Sequence, residues 1–163
     1  MKIQSTQNDV TLSQNITSSK FRIAQTKHTF QILSSGLYSD KITAIIRELS
    51  CNAYDSHVVA GCPERPFEVH FPNQHVNTFR IRDYGTGLSH EDVMGLYTTY
   101  MESTKQASND QVGCFGLGSK SPFAYTDSFT VCSYFEGKKS TYNLFIGDEG
   151  VPECVRMSVV DTD

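Results

Sequence analysis

"RELSCNAYDS", residues 47–56, lies in the most helix-like stretch of the 163-residue chain, which runs from Asp40 to Gly61. Within it Glu48, Asn52 and Asp55 stand at i, i+4 and i+7. At about 100° per residue, with Glu48 at zero, Asn52 falls at about +40° and Asp55 at about −20°. Ile42, Ile45, Ile46, Leu49, Ala53 and Ala60 cluster between about +60° and +160°, a core-facing stripe. The spacing therefore predicts a helix whose polar strip borders its apolar stripe instead of opposing it. Such a strip runs along the rim of a core, where a cleft can bring a ligand against it. Taken alone, two acids on a helix flank are more ordinary as solvated surface.

Composition narrows the classes. A chain of this length is one domain with room for a two-layer core. No apolar run approaches the roughly 20 residues that span a bilayer, and residues 1–20 are too polar for a signal peptide. A net charge of −4 supplies no basic stripe, so no nucleic-acid partner is expected. Cysteines 51, 62, 114, 132 and 154 are odd in number and form no CxxC pair. They suit reduced, mostly buried thiols in a cytosolic compartment better than disulfides or a zinc site. The five histidines show no ligand-like spacing.

Along the chain, residues 1–19 read as a loose polar arm, and 20–163 as the folded domain. "KFRIAQT" (20–26) reads as a short strand, and "HTFQILSSGLYSD" (28–40) as a short helix broken near Gly36. Asp40 is the expected N-cap of the helix over 41–60, which Gly61 and Pro63 end. "PFEVHFP" (66–72) and "NTFRIRD" (77–83) alternate like a hairpin. A helix is expected from Ser89 to Tyr97, with acids in its first turn. Residues 101–111 form a polar, unpatterned loop. Three strands follow over 128–135, 140–146 and 153–160, joined by the turns EGKK and GDEG. The order implies α+β: a two-layer sandwich with a mainly antiparallel, mixed sheet and helices on one face.

Two glycine-bearing segments follow the long helix. "RDYGTGLS" (82–89) places Asp83 at a strand exit ahead of Gly85 and Gly87. The carboxylate can accept a hydrogen bond at a pocket floor, and the glycines permit close backbone approach. By itself this is as well explained by a strand-to-helix turn. "VGCFGLGSKSPF" (112–123) sets Gly113, Gly116 and Gly118 before a helix start at Ser119, where exposed N–H groups suit a phosphate chain. Neither GxxxxGK[ST] nor a strand–GxGxxG–helix unit is present.

Together, ExxxNxxD on a helix, DxGxG and a GxxGxGS loop resemble the GHKL (Bergerat-fold) ATPases: gyrase B, the heat-shock chaperone, histidine kinases and MutL. "FQILSSGLYSDKITAIIRELSCNAYDSH", "GLYTTYMESTKQASND" and "GCFGLGSKSPFAYTDSFTVCSY" resemble one narrower group, the rIIA lysis-inhibition proteins of T-even phages. The resemblance implies ATP and Mg²⁺ as cofactors, with residues 20–163 as the ATP-binding domain. It makes Glu48 the general base, Asn52 the Mg²⁺ ligand, and Asp55 a group on the adenosine side. It gives Asp83 the adenine amino group, with Gly85 a cofactor-binding residue of the same loop and Gly87 leaving room for the ring. Gly113, Gly116, Leu117, Gly118 and Ser119 wrap the triphosphate, and 101–112 is a movable lid. Lys105 and Lys120 are exposed-loop candidates for added positive charge, a solvated charge being an equal alternative.

Two departures bear on activity. A late-strand threonine that completes the adenine pocket has no counterpart before Asp163, so the domain is expected to be C-terminally incomplete or a naturally short relative. A catalytic lysine or arginine from a following domain is also lacking, so turnover is expected to be slow. Aspartate at position 55, where histidine kinases place lysine, disfavours that activity. The implied function is a Mg²⁺-dependent ATPase switch in lysis control or phage–host conflict. It would act in the host cytoplasm or peripheral to the membrane, as a homodimer or with an rIIB-like protein. The alternative is an ATP-binding interaction module without significant turnover.

Overall fold

The structure is a computed structural model that describes residues 23–36, 38–100 and 117–162. The chain enters through residues 23–26 without regular structure, so the strand expected over 20–26 is not formed in its described part. Thr26 instead caps helix α1 (Lys27–Gln31), its Oγ1 accepting the Thr29 N–H at 3.3 Å. That cap diverts the backbone into a helix, which continues as a π-helical turn over Ile32–Gly36.

Helix α2 (Lys41–Val59) begins at Asp40, whose carboxylate accepts from the Thr43 N–H at 3.1 Å and its hydroxyl at 2.6 Å. This is the expected cap. Its buried side differs from the wheel reading. Ala44, Ile45 and Ala53 are buried, but so are Asp55 and His57, while Ile42 is 59% exposed and Ala60 is exposed. The helix packs on β2 and on the segment after the second glycine box, and those neighbours, not hydropathy alone, decide which side is covered.

Strands β1 (Glu68–His70) and β2 (Arg80–Arg82) pair antiparallel, with Glu68 opposite Arg82. The hairpin is shorter than expected. Pro66 and Pro72 flank β1 and have no N–H to give a ladder, and residues 71–79 form a long connection. Helix α3 (His90–Thr98) opens with a capping box in which Ser89 and Asp92 satisfy each other's backbone N–H groups. A 3₁₀ helix over Gly118–Ala124 replaces the α-helix expected from Ser119. Pro122 removes a donor that a longer α-helix would use.

Strands β3 (Ser128–Phe135), β4 (Lys138–Ile146) and β5 (Pro152–Asp161) form a second antiparallel sheet in sequence order. The β3–β4 turn is two residues, not four. Glu136 and Gly137 both take positive φ, 49° and 71°, which matches the twist of the paired strands. The fold is thus α+β and antiparallel, with its described strands in two sheets. No helix among the described residues is long and apolar enough to cross a membrane.

The core lies where α3 and the 3₁₀ helix cover one face of β3–β5. Val93, Phe123, Tyr142 and Leu144 are its buried centre, with Leu88, Tyr97, Phe129 and Val131 packed around them. Phe123 meets Phe129 edge-on at 4.9 Å, and His90 stacks on Tyr142 at 5.8 Å. None of the described cysteines is fully buried, so they are less buried than expected; Cys154 packs at the edge of the core, whose centre holds two aromatic rings. Leu144, in the last third of β4, is 1% exposed. Leu144→Ala is expected to cost about 2–5 kcal/mol through lost contacts and a cavity. Urea unfolding with an unchanged m-value is the check.

Candidate functional site

Three chain segments remote in sequence meet here: α2 itself, the Asp83 loop and the 3₁₀ helix. Glu48 is the first point. Its carboxylate pairs with Arg47 through Oε1 at 2.9 Å, and its side chain stays partly exposed. Its other oxygen lies against the start of the 3₁₀ helix: a Cβ on Gly118 would come within 2.6 Å of Glu48 Oε2. One turn along, Asn52 is half-buried; a further turn along, Asp55 is buried at 2% exposure. The polar strip therefore descends from an accessible carboxylate into the packed interface, where the wheel placed all three at a rim.

Asp83 is the second point. It leaves β2 with its Oδ1 accepting from Ser56 Oγ at 2.9 Å and from the Gly85 N–H at 3.0 Å. The loop can lie this close to the helix only because residue 85 has no side chain. A Cβ there would stand 1.9 Å from Ser56 Oγ and 2.8 Å from its carbonyl oxygen. Gly87 has a separate demand. Its φ is +70°, and a Cβ would meet the Tyr134 carbonyl oxygen at 1.9 Å. Next to it, Ser133 Oγ accepts the Leu88 N–H at 2.8 Å and donates to the Leu88 carbonyl at 2.7 Å. The loop is held by α2 on one side and β3 on the other.

The 3₁₀ helix is the third point. Leu117 and Gly118 are half-buried, and Ser119 is buried with its hydroxyl donating to the Leu96 carbonyl at 3.3 Å. Lys120 departs from expectation. It is 1% exposed, its Nζ donates to the Thr99 carbonyl at 2.6 Å, and it lies 5.5 Å over the Tyr100 ring. A cation on the C-terminal carbonyls of α3 is favourably placed, so this lysine ties two helices together and is no exposed loop charge. Lys105, Gly113, Gly116 and the expected lid lie outside the described residues.

Neutral phenols stand near both carboxylates. Burial pushes Tyr97 up to about 12, with Asp83 the next contributor and Cys154 after it. Tyr100 also rises to about 12, through burial and then Tyr38. Tyr38 is raised by burial first and by Glu48 second, with Arg47 opposing. Each remains a hydrogen-bond donor at neutral pH. A cavity of about 130 Å³ opens beside Tyr97 and Tyr100, bounded by Phe30, Phe123 and Leu144, and none of the sequence-expected site residues lines it.

Sequence reasoning missed Ser56, His57 and Ser133, the side chains that grip the Asp83–Leu88 loop. The available signal was position: Ser56 and His57 directly follow the ExxxNxxD box. Polar residues on the wheel carry no mark of the loop that will cover them.

A family model described as histidine kinase-, DNA gyrase B-, and HSP90-like ATPase matches residues 40–149. That span begins at the α2 cap and takes in all three segments. The chain is also 26% identical over 149 residues to the chaperone protein HtpG of Buchnera aphidicola subsp. Baizongia pistaciae (strain Bp). The match covers 78% of this chain and 24% of the chaperone, so the chain spans about a quarter of that relative's length.

The glycines separate conformational strain from close approach. Gly137 has φ +71° with open space around it, whereas Gly87 has φ +70° and a carbonyl in the way. Gly137→Ala should cost about 1–2 kcal/mol for the left-handed backbone alone. Gly87→Ala should cost roughly 1–3 kcal/mol more through overpacking. Thermal unfolding of the two variants side by side measures the difference.

Proposed function

The chain belongs to the histidine kinase-, DNA gyrase B-, and HSP90-like ATPase family, and from that premise we propose a Mg²⁺-dependent site for ATP along the face of α2. The observation that carries it is the convergence of Glu48, the Asp83 loop and Gly118 on one helix. Both Asp83 bonds among the described residues fall on Oδ1, so Oδ2 is the oxygen available to an adenine amino group. Ser56 and the Gly85 N–H orient that carboxylate before ligand arrives. Gly87 lets the loop lie against the Tyr134 carbonyl of β3, which sets the loop's position beside the ring, and Asp55 supports the adenosine side from beneath. On this reading residues 113–119 and Lys105 take the phosphates, while Lys120, held on the Thr99 carbonyl, supports that segment from beneath.

Glu48 takes the proton of the attacking water. It lies on a rigid helix, half-exposed and facing the phosphate-binding segment, which suits a reaction that is mostly positioning and charge neutralisation. The donor set fits magnesium. Asn52 brings one hard amide oxygen a turn from Glu48, and Mg²⁺ commonly takes only one or two protein oxygens beside phosphate and water. When bound, that ion neutralises phosphate charge. Arg47 pairs with Glu48 through Oε1 alone and is itself largely exposed, so the pair costs little to open and leaves the base usable; the turnover proposed here is slow.

The finer assignment follows the sequence segments that resemble phage rIIA proteins. On it the ATP state is a switch in lysis control or phage–host conflict within the host cytoplasm, read by a second copy or an rIIB-like partner. The alternative reading is an ATP-binding module without significant turnover.

Calorimetric titration with a non-hydrolysable ATP analogue tests the site. Binding is expected only with Mg²⁺, and Asp83→Asn should weaken it by about tenfold or more. Glu48→Ala should keep binding and lose at least about 100-fold in hydrolysis. Absence of binding to the unaltered chain at millimolar nucleotide sinks the proposal. Unchanged phosphate release in Glu48→Ala leaves the binding module.

A further inference from the structure

His57 is fully buried on α2, two residues past Asp55 and 6.5 Å from the Phe67 ring. Both ring nitrogens are engaged. Nδ1 lies 2.8 Å from the Arg65 carbonyl oxygen, and Nε2 lies 2.8 Å from the Tyr84 backbone nitrogen. A carbonyl can only accept and an amide N–H can only donate. The ring is therefore the neutral Nδ1–H tautomer, donating to Arg65 and accepting from Tyr84. Tyr84 lies between Asp83 and Gly85. Its ring carries the Arg65 guanidinium at 4.1 Å on one contact and that of Arg82 at 5.0 Å on another. Its hydroxyl donates to Glu68. Residue 84 is thus held by backbone, ring and hydroxyl at once.

We propose that His57 is the positioning residue for base recognition, holding the Asp83–Gly87 loop through the Tyr84 backbone so that the Asp83 carboxylate meets the nucleobase at a set depth. It rests on the ATP reading above and adds to it a residue that touches no ligand. The two side-chain tethers are complementary. Ser56 holds the Asp83 carboxylate, and His57 holds the peptide that follows it. A loop tethered at both points has one depth; a loop tethered at Asp83 alone can pivot about the Ser56 bond.

The experiment uses the full chain. Nitrogen NMR of the nucleotide-free protein should show the Nδ1–H tautomer at His57, with slow hydrogen exchange at the Tyr84 amide. His57→Asn keeps a donor where Nδ1 stands but cannot reach Tyr84. His57→Gln places an amide oxygen near the Nε2 position. The Kd of the ATP analogue should rise about tenfold in His57→Asn and return to within about threefold in His57→Gln. An Nε2–H tautomer, an unchanged Kd in His57→Asn, or equal losses in both variants overturns the positioning role. Where His57→Asn does not fold, the tautomer and the Tyr84 exchange in the unaltered chain decide. Failure of the unaltered chain to bind nucleotide while the tautomer is as expected overturns the ATP reading, and base positioning with it.

Discussion

The bond from Ser56 Oγ to Asp83 Oδ1, at 2.9 Å, joins the C-terminal half of α2 to the exit of β2, 27 residues later in the chain. The site depends on that junction. It needs a glycine at 85 because the loop lies within contact distance of Ser56. The bond also fixes where the second oxygen of Asp83 stands, which decides whether that residue can read a base. His57 reinforces the same seam from below, with both nitrogens used.

The far side of the loop is closed by β3. Ser133 bonds both backbone groups of Leu88, and the Tyr134 carbonyl fills the space above Gly87. These contacts relate the site to the core, since Phe129 and Val131 on the same strand face pack on α3 and the 3₁₀ helix. The outward residues of β3, Cys132 and Tyr134, are exposed. Period-two alternation thus divides one strand between a core face and a surface. Lys120 closes the circuit by holding the 3₁₀ helix to the end of α3, so the element that approaches Glu48 is anchored two residues past the point of approach.

Legibility in the sequence followed the range of the interactions. Capping is local: Asp40 with Thr43, and Ser89 with Asp92, act over three residues and were readable as such. The strands over 128–161 were readable from alternation, though the β3–β4 turn proved tighter because Glu136 as well as Gly137 accepts a positive φ. The entry segment reads as a strand in the sequence because Thr26 is both a good strand residue and a good N-cap, and in the fold it is the cap that forms. Lys120 departs from its sequence reading for a different reason. A lysine beside glycines is usually solvated, and only the approach of the α3 C-terminus gives it a carbonyl to bond and a ring to cover it.

By itself the sequence determined the α+β class, the capped helix with Glu48, Asn52 and Asp55 on one strip, and the glycines that mark close approach. Each follows from local geometry or from residue chemistry at short spacing. Only the tertiary structure decided that Asp55 and His57 are buried, that Ile42 is exposed, and that Ser56 and His57 grip the Asp83 loop. A helix wheel assigns an angle to each residue but not a neighbour. Burial and hydrogen-bond partners arise where chain segments tens of residues apart meet.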